Sequence, residues 1–373
     1  MANVSFRCSE CNKEFPIETM DFRCTCGEPF NLFFTPERFS LDLIDKNEWS
    51  LFRYKAFLPV TNDLWKDISL GEGKTPLVKL QNNVFLKADY YMPTLSFKER
   101  GAALVIWLAK TLGVKKILQD SSGNAGNSIA AYAARAGIDC EIYVPQGTSD
   151  GKIKMITSHG AKVNVLPLSR DETAEACRQA VLDGQGYYAS HVFNPFFYQG
   201  TKTFVYEVFE QLGRLPDNFF IPVGNGTLLL GVFLAFDELL SSGIIKKLPK
   251  IFAVQSERCA PILEVYNTQG AETQGKPAVP NRPPVKTMAE GIAIGQPARL
   301  KQILRKCKQM DVEFIPAPEN TILKAREILA KSGFFVEHTT AATYAAYLLH
   351  QEKHNIKGDV LLPLCGAGLK SEH

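Results

Sequence analysis

At 373 residues the chain is long for one domain and comfortable for two, and its 45% hydrophobic and 22% charged residues suit a folded protein with a sizeable core. The formal charge is only +3, with lysines and arginines scattered along the chain, so there is no electrostatic footprint for nucleic acid. No apolar run reaches membrane-spanning length, the opening Met-Ala-Asn-Val-Ser-Phe-Arg lacks the plan of a signal peptide, and nine cysteines without an export signal point to a reducing compartment, by default the cytoplasm.

In chain order, four cysteines come first. Cys8-Ser9-Glu10-Cys11 and Cys24-Thr25-Cys26 are separated by a short polar hairpin, a spacing that brings four thiolates to one tetrahedral point, as zinc requires. All four ligands are protein atoms, so the expected zinc is structural. The apolar run 102–109, which stops at Lys110, reads as a helix, and Lys98 stands four residues ahead of it between Phe97 and that run.

Beyond it the chain alternates short β-type runs with helical periods. The pairs are 114–118 with 127–136, 140–144 with 152–159, and 162–166 with 172–182. Further on come 219–223 with 227–240, 251–254 with 260–266, and 312–315 with 320–331; 360–364 closes the series. Gly137 is a helix stop. The proline- and glycine-rich stretch 270–285 reads as a loop. Strands alternating with helices mean crossover connections, hence an α/β architecture of largely parallel sheets.

Two strand-to-helix turns are rich in glycine and hydroxyls. The first, Asp120-Ser121-Ser122-Gly123-Asn124-Ala125-Gly126, opens a helix, so its N–H groups at the positive helix end form a cradle for carboxylate or phosphate. The second is Val223-Gly224-Asn225-Gly226-Thr227. It is no dinucleotide fingerprint, since Leu229 stands where a third glycine belongs, and no Walker lysine follows. Two such loops and a lysine at a helix head can hold a cofactor phosphate, a substrate carboxylate and a Schiff-base amine.

These residues resemble a known family. Ser96-Phe97-Lys98-Glu99-Arg100-Gly101 is similar to the Ser-Phe-Lys-Asp-Arg-Gly signature of threonine synthases, in the tryptophan synthase β superfamily of fold type II pyridoxal phosphate enzymes. Gly71-Glu72-Gly73-Lys74-Thr75-Pro76-Leu77, the two loops, Asn194-Pro195 with Gly200-Thr201-Lys202-Thr203, 337–342 and Cys365-Gly366-Ala367-Gly368 resemble further family segments, in order over about residues 70–370. The resemblance implies pyridoxal 5'-phosphate bound through Lys98 and lying between two domains. Asn124 is then at its ring hydroxyl, Gly224, Asn225, Gly226 and Thr227 at its phosphate, and Cys365 facing the ring nitrogen. The backbone of Ser121, Ser122 and Gly123 takes the substrate carboxylate. The chemistry of the residues agrees: a helix N-terminus and Arg100 disfavour a charged ammonium and Phe97 desolvates it, leaving Lys98 available as nucleophile and as base at the substrate α-carbon.

The expected layout is a cysteine ribbon at 1–33, a large cofactor-binding domain at 34–104 and 196–373, and a small α/β domain at 105–195. The expected activity is elimination or replacement on an amino acid, nearest to threonine synthase, which converts O-phosphohomoserine and water to threonine and phosphate. Some residues depart from the family pattern. Met92 and Leu95 replace asparagine and glycine, Cys365 replaces threonine or serine, and Phe197 stands where threonine synthases carry an arginine for the substrate phosphate. A phenyl ring offers that phosphate no donor. An ammonia-lyase acting on serine, threonine or diaminopropionate therefore stays open, as does a β-replacing synthase such as a cysteate synthase. So does a zinc-ribbon binding module on an inactive enzyme body. The partner expected is a small amino acid, with neither nucleic acid nor membrane; a homodimer is left open.

Overall fold

The structure is a computed structural model that describes residues 4–81, 83–268 and 286–371; the loop expected at 270–285 lies outside the described residues. In chain order the strands are β1 (Ser5–Cys8), β2 (Glu14–Pro16), β3 (Phe30–Phe33), β4 (Leu77–Gln81), β5 (Val84–Lys87), β6 (Lys116–Gln119) and β7 (Asp139–Pro145). They continue with β8 (Lys162–Leu166), β9 (Tyr187–Tyr188), β10 (Asn218–Pro222), β11 (Lys250–Ser256), β12 (Glu313–Ala317) and β13 (Val360–Pro363). They form three sheets, ordered β2-β1-β3, β8-β7-β6-β9 and β12-β11-β10-β13-β5-β4.

The chain divides into two compact units, one running to Lys74 and resuming over Met92–Thr203, the other taking Thr75–Tyr91 and the chain from Phe204 onward. The first unit holds the antiparallel ribbon and a four-stranded sheet whose pairs are all parallel. The ribbon's small core is aromatic: Phe6 stacks on Phe30 with centroids 5.4 Å apart and meets Phe196 edge-on at 6.2 Å. The helix Lys98–Thr111 is buried at every position from Glu99 to Ala109, which is why its apolar run shows no amphipathic period. It packs on the helix Phe196–Thr201 at glycine contact, since a Cβ on Gly200 would collide with the Arg100 carbonyl and one on Gly101 with the Phe197 ring. These contacts put Lys98 and Phe197 in the same unit as the ribbon.

The second unit is built on the six-stranded sheet, parallel except where β4 turns back antiparallel to β5. Every residue of β10 is buried, the signature of a parallel strand covered on both faces. Among the described residues no helix is long and apolar enough to cross a membrane.

Candidate active site and cysteine cluster

In the first unit, Lys98 is the first residue of its helix, capped by Phe97 in helical conformation rather than by a side-chain oxygen. Its Nζ lies 4.4 Å from the Phe97 ring centroid and 5.9 Å from that of Phe197. His191 stacks edge-on to Phe197 at 5.8 Å. Burial, and then the Lys98 charge, push the His191 imidazole well below its usual range, so the ring is neutral.

The loop Ser121-Ser122-Gly123 joins β6 to the helix Asn124–Ala136, which ends at Gly137 in the left-handed region with φ +68°. The N–H of Gly123 donates to Ser121 Oγ at 3.3 Å. A Cβ on Gly126 would overlap the Ser121 carbonyl, so the loop folds tightly over the first helical turn only because that residue is glycine. The arrangement aims first-turn N–H groups outward at the positive end of a helix. Ser96 Oγ, Asn127 Oδ1 and His191 Nδ1 are among the buried side-chain atoms of this unit that have no hydrogen-bond partner.

Leu95, three residues before Lys98, has φ +62° and is 37% exposed. A γ-branched residue is strained there, so Leu95→Gly should raise stability by about 1 kcal/mol, read as a higher denaturant midpoint. A lowered midpoint would mean that the exposed side chain makes packing worth more than the strain.

In the second unit, β10 runs through Val223 into Gly224-Asn225-Gly226 and the helix Thr227–Ser241, whose cap Gly226 has φ +76° and offers no side chain. A Cβ on Gly224 would press on the Gly291 carbonyl at 3.1 Å and on Ile294 at 3.0 Å. At Gly226 it would meet Ile303 at 2.5 Å. Here too glycine is required, and the loop presents backbone N–H groups at a helix head. Cys365, fully buried just past β13, donates its N–H to Thr340 Oγ1 at 3.0 Å. A Cβ on its neighbour Gly366 would collide with the Glu337 carboxylate.

In the ribbon the Sγ atoms of Cys8, Cys11, Cys24 and Cys26 lie within 4.8 Å of one another. Cys8 and Cys26 are 3.4 Å apart and Cys11 and Cys24 3.6 Å, while the N–H groups of Glu10 and Cys11 donate to Cys8 Sγ.

Lys98 and the loop Ser121-Ser122-Gly123 are thus in one unit, and the loop Gly224-Asn225-Gly226 and Cys365 in the other. Sequence reading missed His191, because a lone histidine that becomes buried only on folding carries no spacing signal, and it gave Ser96 no role beyond its place in the Ser96–Gly101 motif.

The model of the family described as "Pyridoxal-phosphate dependent enzyme" matches residues 68–366. The threonine synthase of Methanocaldococcus jannaschii is 30% identical over 98% of this chain and 92% of its own length. That of Mycobacterium bovis is 33% identical over 79% of this chain and 80% of its own. Among solved structures, maize serine racemase shares the fold with TM-score 0.68 and 18% identity, covering 79% of this chain and 88% of that one. The chain belongs to the pyridoxal-phosphate dependent enzymes, and within them it is threonine synthase-like.

Proposed function

We propose that the chain is a threonine synthase-type enzyme that holds pyridoxal 5'-phosphate through Lys98 and converts O-phosphohomoserine and water to threonine and phosphate. The observation that carries this reading is an amine at a helix head, screened by Phe97 and Phe197, in a chain 30% identical to a threonine synthase over 98% of its length. When bound, the cofactor supplies an electron sink for the substrate's α-carbon. Lys98 Nζ anchors it and then takes and returns the α-proton. The N–H groups of Ser121, Ser122 and Gly123 orient the substrate carboxylate, and Asn124 holds the cofactor's ring hydroxyl. Gly224, Asn225, Gly226 and Thr227 hold its phosphate at a helix N-terminus. Cys365 would lie at the cofactor's ring nitrogen and offer it a thiol rather than a carboxylate, which would suit elimination and replacement better than transamination.

A second reading is favoured by Phe197, whose ring is fully buried against Gly101. A divalent phosphate left without a cation or several donors costs several kcal/mol on burial. If the substrate's distal group meets Phe197, that group is small or uncharged, and the reaction is deamination or β-replacement on a short amino acid. Turnover assays with O-phosphohomoserine, O-phosphoserine, serine, threonine and diaminopropionate decide between the readings. Strong preference for O-phosphohomoserine sinks the second, and indifference to it sinks the first.

We further propose that the ribbon, residues 1–33, binds one structural zinc through Cys8, Cys11, Cys24 and Cys26. Tetrahedral zinc with Zn–S near 2.3 Å sets S···S edges of about 3.8 Å, and the two closest pairs here are at 3.4 and 3.6 Å. Metal analysis of protein purified without chelator should give one zinc per chain, and Cys24→Ser should lose it. A content near zero in the unaltered protein refutes the assignment. The proposed setting is the cytoplasm, supported by nine cysteines none of which is in a disulfide, and the proposed partner is a small amino acid.

A further inference from the structure

Phe22 belongs to the ribbon, two residues before Cys24, yet its ring is buried in the core of the neighbouring sheet. It packs in one cluster with Leu118 of β6, Tyr188 of β9, and Cys177, Ala180 and Val181 of the helix Arg170–Leu182. The ring meets Tyr188 edge-on with centroids 5.1 Å apart, and Phe193 edge-on at 5.3 Å. Edge-on pairs fix the direction of a ring as well as burying it. Through Phe22 the ribbon is therefore seated on β9.

Tyr188 carries the contact on to the loop after β6. Its hydroxyl donates to Asp120 Oδ1 at 2.9 Å. Burial, then the Asp120 charge, hold the phenol well above its ordinary range, so it keeps the proton it donates. Asp120 stands between the end of β6 and Ser121. A second link joins the same two segments: the Asp120 N–H donates to Gln119 Oε1 at 2.7 Å, and Gln119 Nε2 donates to the Ala189 carbonyl at 2.8 Å. The backbone pairing here is short. β9 has two residues, stands at the edge of its sheet, and is registered to β6 by Ile117 with Tyr187 and Leu118 with Tyr188. So short a strand fixes little through its own ladder, and a hydrogen bond to a carboxylate is of the stronger kind.

We propose that the ribbon holds the loop Ser121-Ser122-Gly123 in place through Phe22, Tyr188 and Asp120, which are positioning residues for it. On the proposed reading that this loop takes the substrate carboxylate, the ribbon sets affinity for the amino acid while standing outside the chemistry. Asp120 is half-buried, so without the phenol its carboxylate turns to water and the N–H groups after it lose a shared aim.

The first test is native-state hydrogen exchange of the full chain, read for the segment 119–127. Tyr188→Phe keeps the ring and removes the hydroxyl. The segment should then exchange about tenfold faster, the scale of one hydrogen bond to a charged group. Phe22→Ala should speed the same amides, while β7 and the helix Thr227–Ser241 keep the rates of the unaltered protein. Asp120→Asn keeps an acceptor for the phenol and should exchange as the unaltered protein does, whereas Asp120→Ala should match Tyr188→Phe. Unchanged rates at 119–127 in Tyr188→Phe or in Phe22→Ala overturn the proposal. So does an acceleration spread equally over β7, which marks general destabilisation. Should Phe22→Ala not fold, Phe22→Leu takes its place, with faster exchange expected in the same segment. The second test rests on the proposed function. In Tyr188→Phe the KM for O-phosphohomoserine, or for serine if the second reading holds, should rise about tenfold with kcat unchanged, as when binding common to ground and transition states is lost. A fall in kcat with KM unmoved overturns the positioning role. Faster exchange with both constants unmoved supports the link from ribbon to loop and takes the substrate carboxylate away from Ser121-Ser122-Gly123, so the two failures are told apart.

Discussion

Lys98→Ala is expected to abolish turnover and the absorbance of bound cofactor together. The side chain is assigned two tasks, anchoring the cofactor and moving the α-proton. Loss of a positioned general base alone costs about 10²–10⁴-fold. Lys98→Arg tests the chemistry rather than the charge, because a guanidinium does not give up its proton in a protein and so offers no nucleophile. It should be as inactive as the alanine variant while keeping a cation near Phe97 and Phe197, where Nζ lies 4.4 and 5.9 Å from the ring centroids. A small primary amine added to Lys98→Ala should restore some proton transfer without restoring the covalent anchor. Absorbance and steady-state rates on the same preparations check all three. An alanine variant that keeps both signals would take the cofactor away from Lys98.

How much of this was legible in the sequence varies with the physics behind each element. Strands buried on both faces are continuous apolar runs, so β10 and β13 were expected within a residue of where they fall. The helix Arg170–Leu182 was placed two residues late because its start is set by a capping box between Ser169 and Glu172. The hairpin of β4 and β5 was missed: β4 is a short edge strand with no residue fully buried, so it lacks the apolar run that marked its neighbours. The helix His338–His354 was missed for the opposite reason, since it is buried from Thr339 to Tyr347 and shows no amphipathic period. Local motifs gave Lys98 and both glycine loops. The unpartnered His191 Nδ1 and the Phe22–Tyr188–Asp120 contacts depend on chain segments that meet only after folding, and no spacing rule announces them.

Glu207→Ala should destabilise the second unit by about 3–5 kcal/mol, the usual cost of stranding one member of a buried ion pair. Lys87 Nζ lies 2.7 Å from Glu207 Oε2, with side-chain exposures of 0% and 1%. The ammonium also donates to the Thr75 carbonyl at 2.6 Å and to Gln211 Oε1 at 3.1 Å, while the Thr75 N–H donates to Glu207 Oε2 at 3.2 Å. Removing the carboxylate takes this ion pair from the buried Lys87 ammonium and an acceptor from the Thr75 N–H. The ammonium then favours its neutral form, so the folded variant binds fewer protons than the unfolded one and its stability should rise with pH. Lys87→Met with Glu207→Leu removes both charges and should recover most of the loss, because an apolar pair needs no desolvation. Denaturant midpoints of the single and double variants at several pH values supply the check. If the double variant is as unstable as Glu207→Ala, the loss comes from packing or from the Thr75 N–H, and the charge at Lys87 is not its cause.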